Sequence, residues 1–273
     1  MRTRLGTRAE HLRERHASVD LGMSIAERDF SIGGGLLAGA LAYRLFVLLL
    51  PTALLLVSGL GLYADAADES TSKVAKDAGL HGLIGSQVAS SASSRGGWII
   101  FLLMLPAVAY ALAKLYRAIA VTYAIAWHGS GRGVSTAPKG IALLGLVLVA
   151  TVGAAELAGW ARRLNGAGGL AALAAYLAIV GTAWLFVSTQ LPHGDVRWQA
   201  LLPGAFLVGA GLLVVNVFNV YVTARTVENQ ANTYGALGIA AALLFSLVLV
   251  GRVIVVSAEL NASLADRRDS TRQ

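Results

Sequence analysis

The sequence predicts an all-α, polytopic membrane protein, and three observations predict it. Several apolar runs reach or exceed the roughly 20 residues that a spanning helix needs. Charged residues fill only 14% of the 273 positions, against about 25% in ordinary soluble domains. The basic residues gather at the edges of the apolar runs, as membrane insertion requires. A net charge of +7 therefore reads as a topology signal, and no nucleic-acid partner is expected. The chain has no cysteine, which excludes disulfides and thiolate metal sites. Its arginine-rich start lacks an early apolar core, so it is not a cleavable signal peptide, and the first apolar run acts as an uncleaved anchor.

In chain order, residues 1–17 form a basic tail with Arg2, Arg4, Arg8, Arg13 and Arg15. A short amphipathic helix follows. Val19, Met23, Ala26 and Phe30 recur at four, three and four residues, one apolar face, which predicts a helix lying on the membrane surface. Residues 18–262 make the membrane domain, with six spans at about 33–63, 98–127, 139–160, 168–190, 198–223 and 234–260. Gly33, Gly34 and Gly35 loosen the entry to the first span, and Pro51 and Pro106 fall inside the first and second. The interval 64–97 is polar, with a second surface helix expected around Leu80, Leu83, Ile84 and Val88. Residues 263–273 read as a charged tail with Arg267, Arg268 and Arg272.

Counting Lys and Arg outside the spans fixes the expected orientation. With the N-terminus inside, inner segments carry Arg2, Arg4, Arg8, Arg13, Arg15, Arg28, Arg132, Lys139, Arg197 and the three tail arginines. Outer segments carry only Lys73, Lys76, Arg95, Arg162, Arg163 and Arg225. The excess places both termini in the cytoplasm.

The residues that invite a functional reading are charges inside apolar runs. At about 1.5 Å per residue, Arg44 lies roughly 16 Å from the inner start of span one. Lys114 and Arg117 lie roughly 20 and 15 Å from the inner end of span two, and Arg252 about 12 Å from that of span six. Glu259 sits near the mouth, seven residues and two turns from Arg252, on the same face. It is the only carboxylate the spans place near these cations. Charge facing acyl chains is expensive, so the expectation is one basic interior space, open to the cytoplasm or inner leaflet, completed by water or an anion. The alternative is that some cations snorkel to the headgroups and that Arg252 and Glu259 form a structural pair. A second polar set comprises Glu156 on span three and Asn216 and Asn219 on span five. Buried amides of this kind commonly join helices.

Three stretches resemble the YihY/BrkB family of bacterial inner-membrane proteins. They are AGALAYRLFVLLLP at 38–51, LPHGDVRWQALLPGA at 191–205, and the run 234–262 that ends in AELNA. Arg44 follows the tyrosine where many relatives carry an apolar or aromatic residue. The resemblance implies a six-helix bundle in the bacterial cytoplasmic membrane. Members have been called virulence or serum-resistance factors and are suspected of moving lipid or other envelope material. An older label for the family is ribonuclease BN.

The residues do not suit that nuclease label. Metal-assisted phosphodiester hydrolysis needs convergent His, Asp or Glu ligands. His11, His16, His81, His128 and His193 form no metal-type pair. No nucleophile-elbow, zinc-protease or phosphate-loop motif occurs. The sequence thus predicts no enzyme, no metal and no cofactor. The leading expectation is a transporter or flippase-like protein for an anionic or amphipathic envelope component, with membrane lipids as partners and a homo-oligomer as one possible form. The alternatives are a non-catalytic scaffold in envelope organisation and, last, a membrane-embedded hydrolase.

Overall fold

The computed structural model describes residues 17–66, 97–128, 130–131, 134, 137–161, 167–194, 196–218 and 236–270. Among them every element is helical: α1 (Ala17–Ile32), α2 (Gly34–Ala66), α3 (Gly97–His128), α4 (Pro138–Ala161), α5 (Ala167–Ser188), a 3₁₀ turn (Trp198–Leu201), α6 (Leu202–Phe218) and α7 (Ala236–Ser270). Each apolar run expected to span falls on one of these helices. Five of them, α2, α3, α5, α7 and the 3₁₀ turn continued by α6, are long and apolar enough to cross a membrane. In α4 the qualifying apolar stretch is the shorter Pro138–Thr151. The surface helix expected around Leu80–Val88 lies outside the described residues, as do the basic tail up to residue 16 and the part of span five beyond residue 218.

Two elements differ from the sequence reading. Gly33, Gly34 and Gly35 do not loosen the entry to the first span. Gly33 stands at φ 68° between α1 and α2, the left-handed conformation that ends helices and that glycine adopts without steric cost. Its carbonyl accepts from the amides of Leu36 and Leu37 at 2.9 and 3.2 Å, so α2 starts at once. The second difference is at the C-terminus, where residues 263–270 are the last turns of α7, not a tail. Ser263 and Ala265 are buried there, and α1 packs along this helix. Pro51 and Pro106 sit within unbroken helices. Beside Pro51, Thr52 returns its hydroxyl to the Leu48 carbonyl at 2.8 Å, the i−4 back-bond by which threonine satisfies itself within a helix.

The chain divides into two compact units, residues 1–43 with 116–273, and residues 44–115. In the smaller unit the Phe101 ring packs on Gly59, where a β-carbon would meet it at 3.3 Å. Leu50, Leu56, Leu102 and Leu103 are exposed, as side chains facing lipid are in a chain seen without its membrane.

In the larger unit α4 packs on α5, α5 on α6, α6 on α7, and α7 on α1. Small residues let these backbones approach, which is how helices gain contact in lipid. A β-carbon on Gly251 would sit 2.5 Å from the Ala38 carbonyl oxygen, and one on Gly211 would sit 2.6 Å from the Val253 side chain. Tyr176, Ala154 and Val180 form a buried cluster with Leu177, Leu212 and Leu213 around it. Polar side chains complete the packing. The fully buried Tyr123 hydroxyl lies 3.2 Å from Ser257 Oγ and 3.5 Å from Ser188 Oγ, and accepts from Trp184 Nε1 at 3.2 Å. One phenol thereby links α3, α5 and α7.

Candidate functional site

The best-defined charged cluster is the seam between α1 and α7. On α7, Arg252, Glu259, Ser263 and Asp266 follow at seven, four and three residues, a helical repeat that puts them on one face. On α1, Asp20, Arg28 and Asp29 lie off the apolar stripe and bond to α7, while Glu27 stays exposed beside the stripe. Asp20 pairs with Arg267. Arg28 donates to Asp266 at 2.9 Å and to Ser263 at 3.4 Å. Asp29 receives both terminal nitrogens of Arg252, at 2.6 and 2.9 Å, the forked geometry that makes arginine–carboxylate pairs strong and directional.

This pairing corrects the expectation that Glu259 is the carboxylate available to Arg252. The partner comes from α1, 223 residues away. Hydrogen bonds from the Arg252 guanidinium, and then its positive charge, hold the Asp29 carboxyl below the ordinary value of 3.8, because both favour the ionised form.

Glu259 is 0% exposed, and neither oxygen has a donor within hydrogen-bond distance among the described residues. Gly34 explains how it fits. A β-carbon there would fall 1.8 Å from Asp29 Oδ1 and 2.9 Å from Glu259 Oε1, so both carboxyls converge on a position only glycine can occupy. The rest of the SAELNA stretch at 257–262 has separate duties. Ser257 reaches Tyr123, and Asn261 Oδ1 accepts from the Gly204 amide at 2.8 Å. That second bond satisfies one of the open donors at the start of α6.

The other expected site residues are placed as follows. Arg44 and Lys114 belong to the smaller unit, Arg117, Arg252 and Glu259 to the larger. Arg44 is exposed. Lys114 is half-buried, its ammonium 5.0 Å from the centre of the Tyr110 ring one turn earlier, a favourable cation–π distance. Arg117 is exposed, with no ion pair among the described residues. Within the larger unit, Arg252 and Glu259 are brought together through Asp29. Asn216 is half-buried on α6, while the Glu156 side chain and Asn219 lie outside the described residues. Among the described residues no three His, Asp or Glu gather as a metal site would require.

The sequence reading missed Asp29 and Gly34. Asp29 carried a signal, since it lies off the apolar stripe of α1 and could reach a partner. Gly34 carried none, because its role depends on two carboxyls from other elements. No curated protein and no solved structure matches the chain. The family described as Virulence factor BrkB matches residues 32–273, a span that holds the whole of α2 to α7 including Gly34, Arg252 and the SAELNA stretch, and this multi-pass membrane protein belongs to that family.

Proposed function

We propose that the protein moves an anionic or amphipathic component of the cell envelope, such as a lipid, across or within the bacterial cytoplasmic membrane, and that it does so without enzymatic chemistry. The observation that carries this reading is Arg117. It is exposed on α3, has no ion pair among the described residues, and lies roughly ten residues, or about 15 Å, from the inner end of the helix. An arginine at that depth costs about 2.5–3.5 kcal/mol on insertion scales if it faces acyl chains, so its exposed side favours water or a phosphate-bearing headgroup. Arg44, exposed at a comparable distance from the inner start of α2, supports the same reading.

The test is lipid analysis of the full-length protein purified in mild detergent. Arg44→Ala with Arg117→Ala is expected to lower co-purified anionic lipid at unchanged thermal stability. Unchanged lipid content and unchanged cellular activity in the double variant would refute transport. A scaffold role would then lead, and one observation already favours it as the second reading: among the described residues α1 is tied to α7 by three ion pairs, an arrangement suited to presenting a fixed surface.

A further inference from the structure

We propose that Glu259 carries a proton at neutral pH and donates it to Asp29, so that Glu259, Asp29 and Arg252 form a proton-binding site that holds α1 on α7. The site operates whether or not the protein moves lipid. Its basis is the fully buried Glu259 side chain with two unpartnered oxygens. An ionised carboxylate in that position would lose its hydration and gain no donor in return, a heavy penalty.

The charged neighbours do not remove the penalty. Arg252, on the same helix, has both terminal nitrogens engaged by Asp29. Asp29, from α1, is thereby a full negative charge beside Glu259. Arg28, also from α1, is turned to Ser263 and Asp266. Of the other elements on α7, the 3₁₀ turn and α6 contain no titratable residue, and from α3 the Tyr123 hydroxyl is engaged by Ser257, Ser188 and Trp184. What remains positive is the N-terminal end of α2 at Gly34, a partial charge only. Two carboxyls sharing a site do not ionise together readily. One proton turns their repulsion into a hydrogen bond, and Asp29 is the acceptor because Arg252 keeps it ionised.

The same geometry ties the proton to the position of α1. Losing it leaves two carboxylates converging on Gly34, and the movable partner is α1, joined to α2 through the single left-handed residue Gly33. The docked state binds the extra proton, so raising the pH favours undocking. The acid limit is set by Asp29. With its folded value lowered, its contribution is complete above the ordinary 3.8 and is lost as pH falls below it.

The chain's lack of cysteine makes the test direct. Spin labels on cysteines placed at Gly22, which has open space around it, and at the exposed Arg268 report the α1–α7 distance in the full-length protein in lipid nanodiscs. Infrared spectra of the same samples report protonated carboxyl groups. The expected result is a protonated-carboxyl band at neutral pH that is missing in Glu259→Gln and disappears on alkalinisation. Over the same range the undocked-to-docked ratio rises by up to about tenfold per pH unit, the slope for one linked proton. Glu259→Gln, neutral at every pH, keeps the short distance throughout. A band identical in the parent protein and Glu259→Gln would overturn the proposal. So would a distance that stays constant while the band is lost. Should Glu259→Gln fail to fold, the parent protein's own distance series decides, since a pH-independent distance up to strongly alkaline pH contradicts the site.

Discussion

Gly33, Gly34 and Gly35 are adjacent and chemically identical, yet the structure asks three different things of them. Gly33 is left-handed, a conformation costing an L-residue about 1–2 kcal/mol. Gly34 faces two carboxyls at distances no β-carbon tolerates, and Gly35 faces open space. Alanine substitutions should therefore separate cleanly in thermal unfolding of the detergent-purified protein. Gly33→Ala should lose about 1–2 kcal/mol. Gly34→Ala should lose more, and its loss should not add to that of Asp29→Asn, because both break the same contact with Arg252. Gly35→Ala should be neutral or gain up to about 1 kcal/mol from helix propensity. Equal effects at all three positions would mean that the carboxyl pair does not meet at Gly34. None of this ranking was legible in the sequence. A run of glycines signals freedom, and only the positions of Asp29 and Glu259 convert one of them into a steric requirement.

At the scale of elements, α1 shows how far periodicity reaches. The spacing of Val19, Met23, Ala26 and Phe30 correctly announced a helix, and its apolar stripe could have faced either the bundle or lipid. The choice is made by the other side of the helix, where Asp20, Arg28 and Asp29 bond to α7. Phe30 is left 90% exposed, with Ala26 exposed beside it. This stripe fits the headgroup boundary of the bilayer, where an amphipathic helix buries its apolar face by several ångströms. Spin labels on cysteines at Ala26 and Phe30 should be reached by lipid-soluble oxygen in preference to a water-soluble nickel chelate. The reverse preference at both positions would detach α1 from the membrane surface. The seam with α7 was not legible for a related reason. Its partners are more than 220 residues apart, and the carboxylate nearest Arg252 along the helix, Glu259, is not the one that binds its guanidinium.

For the whole molecule, the membrane class was legible because lipid imposes a strong and local rule. Backbone polar groups must be satisfied without water, and an uninterrupted apolar run of about 20 residues does so within itself as a helix. The described helices accordingly start within a few residues of the apolar runs. Their ends are less legible. The last helix reaches Ser270 because Asp266 and Arg267 have partners on α1, and charge patterning alone made this stretch look like a solvated tail. That extension bears on orientation. If the basic end of α7 and the polar side of α1 lie on the cytoplasmic face, as the distribution of Lys and Arg predicts, the whole α1–α7 seam is cytoplasmic, and the proton at Glu259 exchanges with the cell interior. Single cysteines in the otherwise cysteine-free chain test this. Probes at Ser130 and Ser270 should be protected from an impermeant thiol reagent in intact cells and react after permeabilisation, while one at Ser94 should react from outside. External reaction at Ser270 would invert the orientation and place the seam on the outer face. Alkalinising the medium with the cell interior buffered would then undock α1, whereas in the predicted orientation only a change of internal pH does so.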